Sequence, residues 1–97
     1  QIGARSMVKF EWDATKADAN LGKHSVSFDE AGSVFLDPLA ISGPDPDHSV
    51  GESRYITFGM SSLGRLLAVS HSHRPRAIRI ISARRVTRAE RKLYEEN

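Results

Sequence analysis

Three strand signals crowd the second half of this chain, at residues 54–59, 66–72 and 77–83, and the links between them have room for a turn and little else. The first link holds Ser61, Ser62 and Gly64, and the second holds Arg74 and Pro75. Links of that length and composition make hairpins, so the three strands run antiparallel as a meander. A sheet this small is stable only if one face is buried, so the rest of the chain must supply the layer that covers it. With 97 residues, there is material for one core and therefore one domain.

The covering layer is legible in the first half. Val8 to Trp12 alternates well enough for a short first strand, and Asp13 then stands as an N-cap before Ala14, Ala17, Leu21 and His24 at helical spacing. Gly22 is expected to hold that helix to about two turns. Ser27 and Glu30 form an S-x-x-E capping box, with Val26 and Ala31 spaced as a hydrophobic staple. Phe28, Ala31, Val34 and Phe35 make a buried stripe, and Asp37-Pro38 marks its end. Residues 37–53 are rich in Asp, Pro, Gly and Ser and are read as loop, with residues 39–41 the one candidate for a short edge strand. Thr87 and Glu90 form a second capping box, opening a last helix of about ten residues that needs Leu93 or Tyr94 to dock it. The order β-α-α-β-β-β-α predicts an α+β fold: an antiparallel meander with two N-terminal helices and a short C-terminal helix.

Charge is sorted along the chain. Residues 1–52 carry four basic and nine acidic side chains, whereas residues 53–97 carry ten and three. A small domain with one basic half is suited to an anionic partner, most often a phosphate backbone. With no cysteine, neither a disulfide nor a thiolate metal site is possible. No apolar run approaches the roughly 18 residues needed to span a bilayer, which predicts a soluble, cytoplasmic protein without membrane contact. Gln1 to Ser6 has neither periodicity nor a cap and is read as an expression-tag remnant, leaving residues 7–97 as the domain.

Pairing Ile56 with Val69 and Val69 with Ile81 keeps apolar residues on one face, and that register sets Arg54 and Arg79 on either side of His71. Glu52 would extend the row. Cleaving RNA without a metal requires a base for the 2′-hydroxyl proton, an acid for the leaving 5′-oxygen, and cations for the charge on phosphorus. Histidine or glutamate can move the protons, and the arginine fork matches phosphate oxygens. The same residues would also serve simple phosphate binding, or a solvated sheet face, and the pattern alone leaves all three open.

Other groups have competing readings. Lys23 and His24 close the first helix, where cations complement the dipole, and are also candidates for RNA contact. Arg74, Arg84, Arg85 and Arg88 are candidates for RNA binding or simply a wet face. Asp45, Asp47, His48 and Glu52 lack recognised ligand spacing, so no metal site is assigned. Trp12 and Tyr55 are read as packing residues rather than base-stacking platforms.

Several motifs together resemble the BrnT family. They are K-F-E-W-D at 9–13, N-x-x-K-H-x-V-S-F-D-E-A at 20–31, V-F-x-D-P at 34–38, E-x-R-Y at 52–55, G-R-L-L-x-V at 64–69, I-R-I-I-S-A-R at 78–84 and T-R-x-E-R-x-x-Y-E at 87–95. The resemblance spans residues 7–96. It implies a RelE-like ribonuclease toxin of a type II toxin-antitoxin system that cleaves RNA, stops translation and arrests growth, with no cofactor. It also implies a cognate BrnA antitoxin whose ribbon-helix-helix domain binds operator DNA, the two forming a heterotetramer. Carried onto this chain, the family's E-x-R and I-R-I motifs are Glu52, Arg54 and Arg79. Ser25 stands where the family often has glycine, so a different turn between the helices is expected there. His71 and His73 occupy positions that commonly vary among related chains.

Two alternatives to a ribonuclease remain at this point. One is a nucleic-acid-binding or regulatory module without chemistry, although residues 87–97 are short for a recognition helix and no helix-turn-helix pattern is visible. The other is a basic face that serves mainly to bind a partner protein.

Overall fold

The computed structural model describes residues 8–45 and 53–97. The readings of Gln1 to Ser6 as a remnant, of Glu52 as part of the row, and of Asp47 and His48 as loop residues lie outside the described residues. The elements are β1 (Lys9–Glu11), α1 (Ala14–His24), α2 (Phe28–Ser33), a 3-10 turn (Val34–Leu36), β2 (Ile41–Pro44), β3 (Tyr55–Met60), β4 (Leu66–Arg74), β5 (Ala77–Arg85) and α3 (Arg88–Glu96). The strands form one sheet in the order β1-β5-β4-β3-β2.

The α+β class and the β3-β4-β5 meander are as expected, but the sheet is mixed. β2 joins β3 antiparallel on one edge, while β1 lies parallel to β5 on the other. The edge strand β2 starts two residues later than its sequence signal, because residues 37–40 are held in a turn. Asp37 Oδ1 accepts from the Leu39 N–H at 2.9 Å, and the Asp37 carbonyl accepts from the Ala40 N–H at 3.1 Å.

Asp13 caps α1 through hydrogen bonds from the Thr15 and Lys16 N–H groups. The helix runs through Gly22 for three turns, one more than expected. It ends at Ser25, which itself takes the left-handed conformation (φ 58°) that favours glycine. Only half of the first capping box forms: Ser27 Oγ accepts from the Glu30 N–H, but the Glu30 carboxylate turns away to Arg65 and Ser61. The second box at Thr87 and Glu90 is complete.

Val26, Phe28, Ala31 and Val34 pack on Leu67, Val69, Ile80 and Ala83 of β4 and β5 to form the core. Gly59 allows this approach, since a Cβ there would lie 3.0 Å from the Val34 side chain and carbonyl. α1 covers the part of β5 that β1 is too short to reach. There the buried Asn20 side chain behaves like a strand residue: its amide donates to the Ala83 carbonyl at 2.8 Å and accepts from the Ala83 N–H at 3.1 Å. The same NH2 group donates to the Val26 carbonyl at 3.0 Å, tying the interhelical turn to the sheet. Of the two residues expected to dock α3, Tyr94 does so, through a 2.6 Å hydrogen bond to Asp37, while Leu93 is exposed.

The strand registers differ from expectation by one residue between β3 and β4. Tyr55 pairs with His71, Thr57 with Val69, and Gly59 with Leu67, so Ile56 and Phe58 turn to the second face beside Ser70 and Ala68. Apolar residues line both faces of these two strands, so hydrophobic pattern alone did not specify the register. Between β4 and β5, Ser70 pairs with Ser82 but His71 pairs with Ile80, which leaves Ile81 as a bulge. That bulge lets Ile80 and Ala83, three residues apart, face the same core.

Candidate functional site

The slip in register rebuilds the expected row around a different centre. Continuing the β3-β4 register one residue past Tyr55 and His71 sets Arg54 opposite Ser72, and Ser72 pairs directly with Arg79. Glu11 of β1 pairs with Arg79 in turn. Residues opposite one another share a face. Three adjacent strands therefore carry Ser72, Arg79 and Glu11 side by side on the face turned away from the core, and Arg54, the residue just before β3, continues the row. Arg79 donates to Glu11 Oε2 at 3.0 Å, and Arg74, two residues beyond Ser72, lies 3.9 Å from the same oxygen. Arg54 is half-buried. Ser72 is 1% exposed, and its Oγ has no hydrogen-bond partner among the described residues.

The pairing of His71 with Arg54 and Arg79 is thus corrected. His71 faces the core, 2% exposed, on the opposite side of the sheet from Arg79. Its Nε2 meets Thr57 Oγ1 at 2.7 Å, Thr57 meets Ser42 Oγ at 2.6 Å, and the Phe35 ring lies edge-on at a centroid distance of 4.9 Å. Burial, and secondarily the neighbouring His73, pushes the imidazole down to about 4. A neutral ring has one N–H. Donating it from Nε2 to Thr57 leaves Nδ1, which has no partner among the described residues, as a bare lone pair. Tyr55 stacks on His73 at 4.8 Å on this same face.

The remaining basic candidates do not converge on the row. Arg84 is engaged by both oxygens of Glu90 at 2.8 and 2.9 Å, and this contact holds the Glu90 carboxyl below its ordinary range. Arg85 lines a concavity with Arg65 and Arg91 at the other end of β5. Lys23 and His24, in the last turn of α1, sit beside Ile81 and Ser82, and Arg88 is exposed at the start of α3. Six residues of strand separate Arg79 from Arg85, about 20 Å. The structure gathers Arg54, Arg74 and Arg79 and leaves Lys23, His24, Arg84, Arg85 and Arg88 dispersed.

Sequence reasoning missed Ser72 and Glu11. Glu11 stood in a recognisable motif, but nothing local announced that β1 would lie against β5. Asp45 of the acidic loop is also in use: its carboxylate accepts from Ser70 Oγ at 3.3 Å. A groove of about 550 Å³ is apolar and is lined by Phe10, Trp12, Phe28 and Phe35 on the helix side. It lies apart from the row.

Residues 12–90 match the family model described as the ribonuclease toxin BrnT of a type II toxin-antitoxin system. This chain belongs to the BrnT family. Its structure is similar to that of the Brucella abortus ribonuclease toxin BrnT, known from a crystal structure at 1.1 Å resolution, with a TM-score of 0.67 and 24% identity over 84% of this chain and 99% of that one. A comparison with curated proteins finds no match. Several BrnT-family motif residues have structural duties here. Asn20 completes the edge of β5, while Glu30 and Arg65 form a partly buried ion pair between α2 and the β3-β4 turn, with Arg65 also donating to the Ser25 carbonyl at 2.9 Å. That pair, with Ser61 donating to Glu30 at 2.7 Å, holds the Glu30 carboxyl below its ordinary range against the opposing effect of burial.

Proposed function

We propose that this chain is a metal-independent endoribonuclease toxin with a RelE-like fold, which acts in the cytoplasm, cuts RNA and stops translation. The observation that carries this reading is the cross-strand row of Arg54, Ser72, Arg79 and Glu11. Two guanidinium groups flanking one strand position can take the non-bridging oxygens of a phosphodiester from both sides. They would supply the charge stabilisation that the pentacoordinate transition state requires. In the reaction, the 2′-hydroxyl gives its proton to a base as its oxygen attacks phosphorus, the P–O5′ bond breaks, the leaving 5′-oxygen takes a proton from solvent, and a 2′,3′-cyclic phosphate and a 5′-hydroxyl remain.

A carboxylate is the proposed proton acceptor, from Glu52 or from Glu11. His71 is assigned a supporting role, because a buried ring bonded to Thr57 on the far face has no path to the reacting atoms. Arg74 extends the cationic surface for the flanking RNA. Family membership supports an antitoxin partner. We infer that it is of the BrnA type, with a ribbon-helix-helix domain that carries the heterotetramer to operator DNA.

The test is to treat a translating bacterial extract with the purified chain and determine the chemistry of new RNA ends. Ends bearing 2′,3′-cyclic phosphate and 5′-hydroxyl, with protein synthesis halted, are expected. Ends bearing 5′-phosphate, or intact RNA with translation undisturbed, would withdraw the proposal.

A further inference from the structure

We propose that Ser72 is a phosphate-binding residue of the ribonuclease site, its Oγ–H donating to a non-bridging oxygen of the phosphodiester held between Arg54 and Arg79; this rests on the ribonuclease reading above. A hydroxyl buried without a partner costs folding free energy, and such groups in proteins ordinarily find one. The neighbouring buried hydroxyls have theirs: Thr57 bonds His71 and Ser42, Ser70 bonds Asp45, and Ser61 bonds Glu30. Ser72 stands apart from them at 1% exposure with Oγ unpartnered among the described residues. Its position supplies the reason. It stands in the row between Arg79 of β5 and Arg54, the residue that leads into β3.

A phosphate oxygen between those two side chains would lie over β4, where Ser72 is the side chain beneath it. Approach requires Arg79 to exchange Glu11 for the phosphate. Arg79 is about a third exposed, and its 3.0 Å bond to a half-exposed carboxylate is readily given up. The hydroxyl then gains the acceptor it lacks, in a bond that alanine, having no donor, would not provide.

The experiment compares wild type, Ser72→Ala and Arg79→Ala for binding of a single-stranded RNA carrying 2′-O-methyl groups throughout, which cannot be cleaved, alongside thermal unfolding of each free protein. Ser72→Ala is expected to weaken binding by about tenfold and to leave the unfolding midpoint unchanged or raised, because the variant loses an unsatisfied buried group. Binding within twofold of wild type would overturn the assignment. So would a midpoint lowered by more than about 5 °C, a shift worth about 1 kcal/mol, which would show that the hydroxyl has a partner within the protein. If Arg79→Ala weakens binding and Ser72→Ala does not, only the role of Ser72 falls; if the wild type does not bind the RNA, the ribonuclease reading falls with it.

Discussion

The imidazole of His71 and the hydroxyl of Thr57 meet at 2.7 Å inside the sheet, in a site that holds the ring neutral. Burial of the ring, with His73 beside it, makes the fold sensitive to mild acid. The unfolded chain takes up a proton at this histidine near pH 6.5, whereas the folded chain refuses it until about pH 4. This histidine's contribution to stability is therefore fully present above pH 6.5, falls as the pH drops toward 4, and loses up to about 3 kcal/mol at the bottom of that window. Urea unfolding of wild type and His71→Gln at pH 7, 5.5 and 4.7 checks this. The slope should be markedly shallower in the variant, and equal slopes would show that another group is responsible.

Asn20 replaces a missing strand with one side chain. Asn20→Ala would leave the Ala83 N–H and two buried carbonyls without partners and should cost about 3 kcal/mol. Amide hydrogen exchange at Ala83 should accelerate in the variant more than at Val69, which lies within the meander. Uniform acceleration would mean that the side chain has no local role.

Most of the fold was legible in the sequence, and the failures share one cause. Helix starts and the meander followed from local signals, namely Asp13, Ser27, Thr87 and the short links, while the end of α1 did not. The face assignments depended on which side of a two-sided apolar strand would be covered, and Ile56 and Phe58 were as good a guide as Val69. Thr57 settles the question by entering the core with a hydroxyl, an arrangement stable only because His71 and Ser42 are there to receive it. The bulge at Ile81 has the same character, since its cause is the spacing of Ile80 and Ala83 against helices distant in sequence. Arg79 lies in the strand its signal gave and Arg54 falls one residue before β3, while the residue facing Arg79 was misread by one position.

Ser25 carries a left-handed backbone on a residue with a Cβ. Ser25→Gly should raise stability by about 0.5 to 1 kcal/mol, since glycine takes that conformation without steric penalty. Thermal unfolding of the two proteins measures the difference. A loss of stability would mean that the hydroxyl matters more than the backbone strain.

Glu30 is 6% exposed and depends on Arg65. Removing one partner strands a charge, so Arg65→Met should lower the unfolding midpoint by about 10 °C, and the double variant with Glu30→Met should recover much of that loss. A double variant no better than the single one would place the importance of Arg65 in its bond to Ser25.

Two faces of one sheet compete for the chemistry, and the account assigns it to the face with Arg54 and Arg79. The most direct measurement is the rate of RNA cleavage by wild type, Arg79→Ala and His71→Gln, each shown to be folded at pH 7.5. A loss of at least about 100-fold in Arg79→Ala, with His71→Gln within a few-fold of wild type, is predicted from the loss of transition-state charge stabilisation on one face and the absence of contact on the other. Full activity in Arg79→Ala, or abolition of cleavage by His71→Gln in a folded protein, would contradict the account.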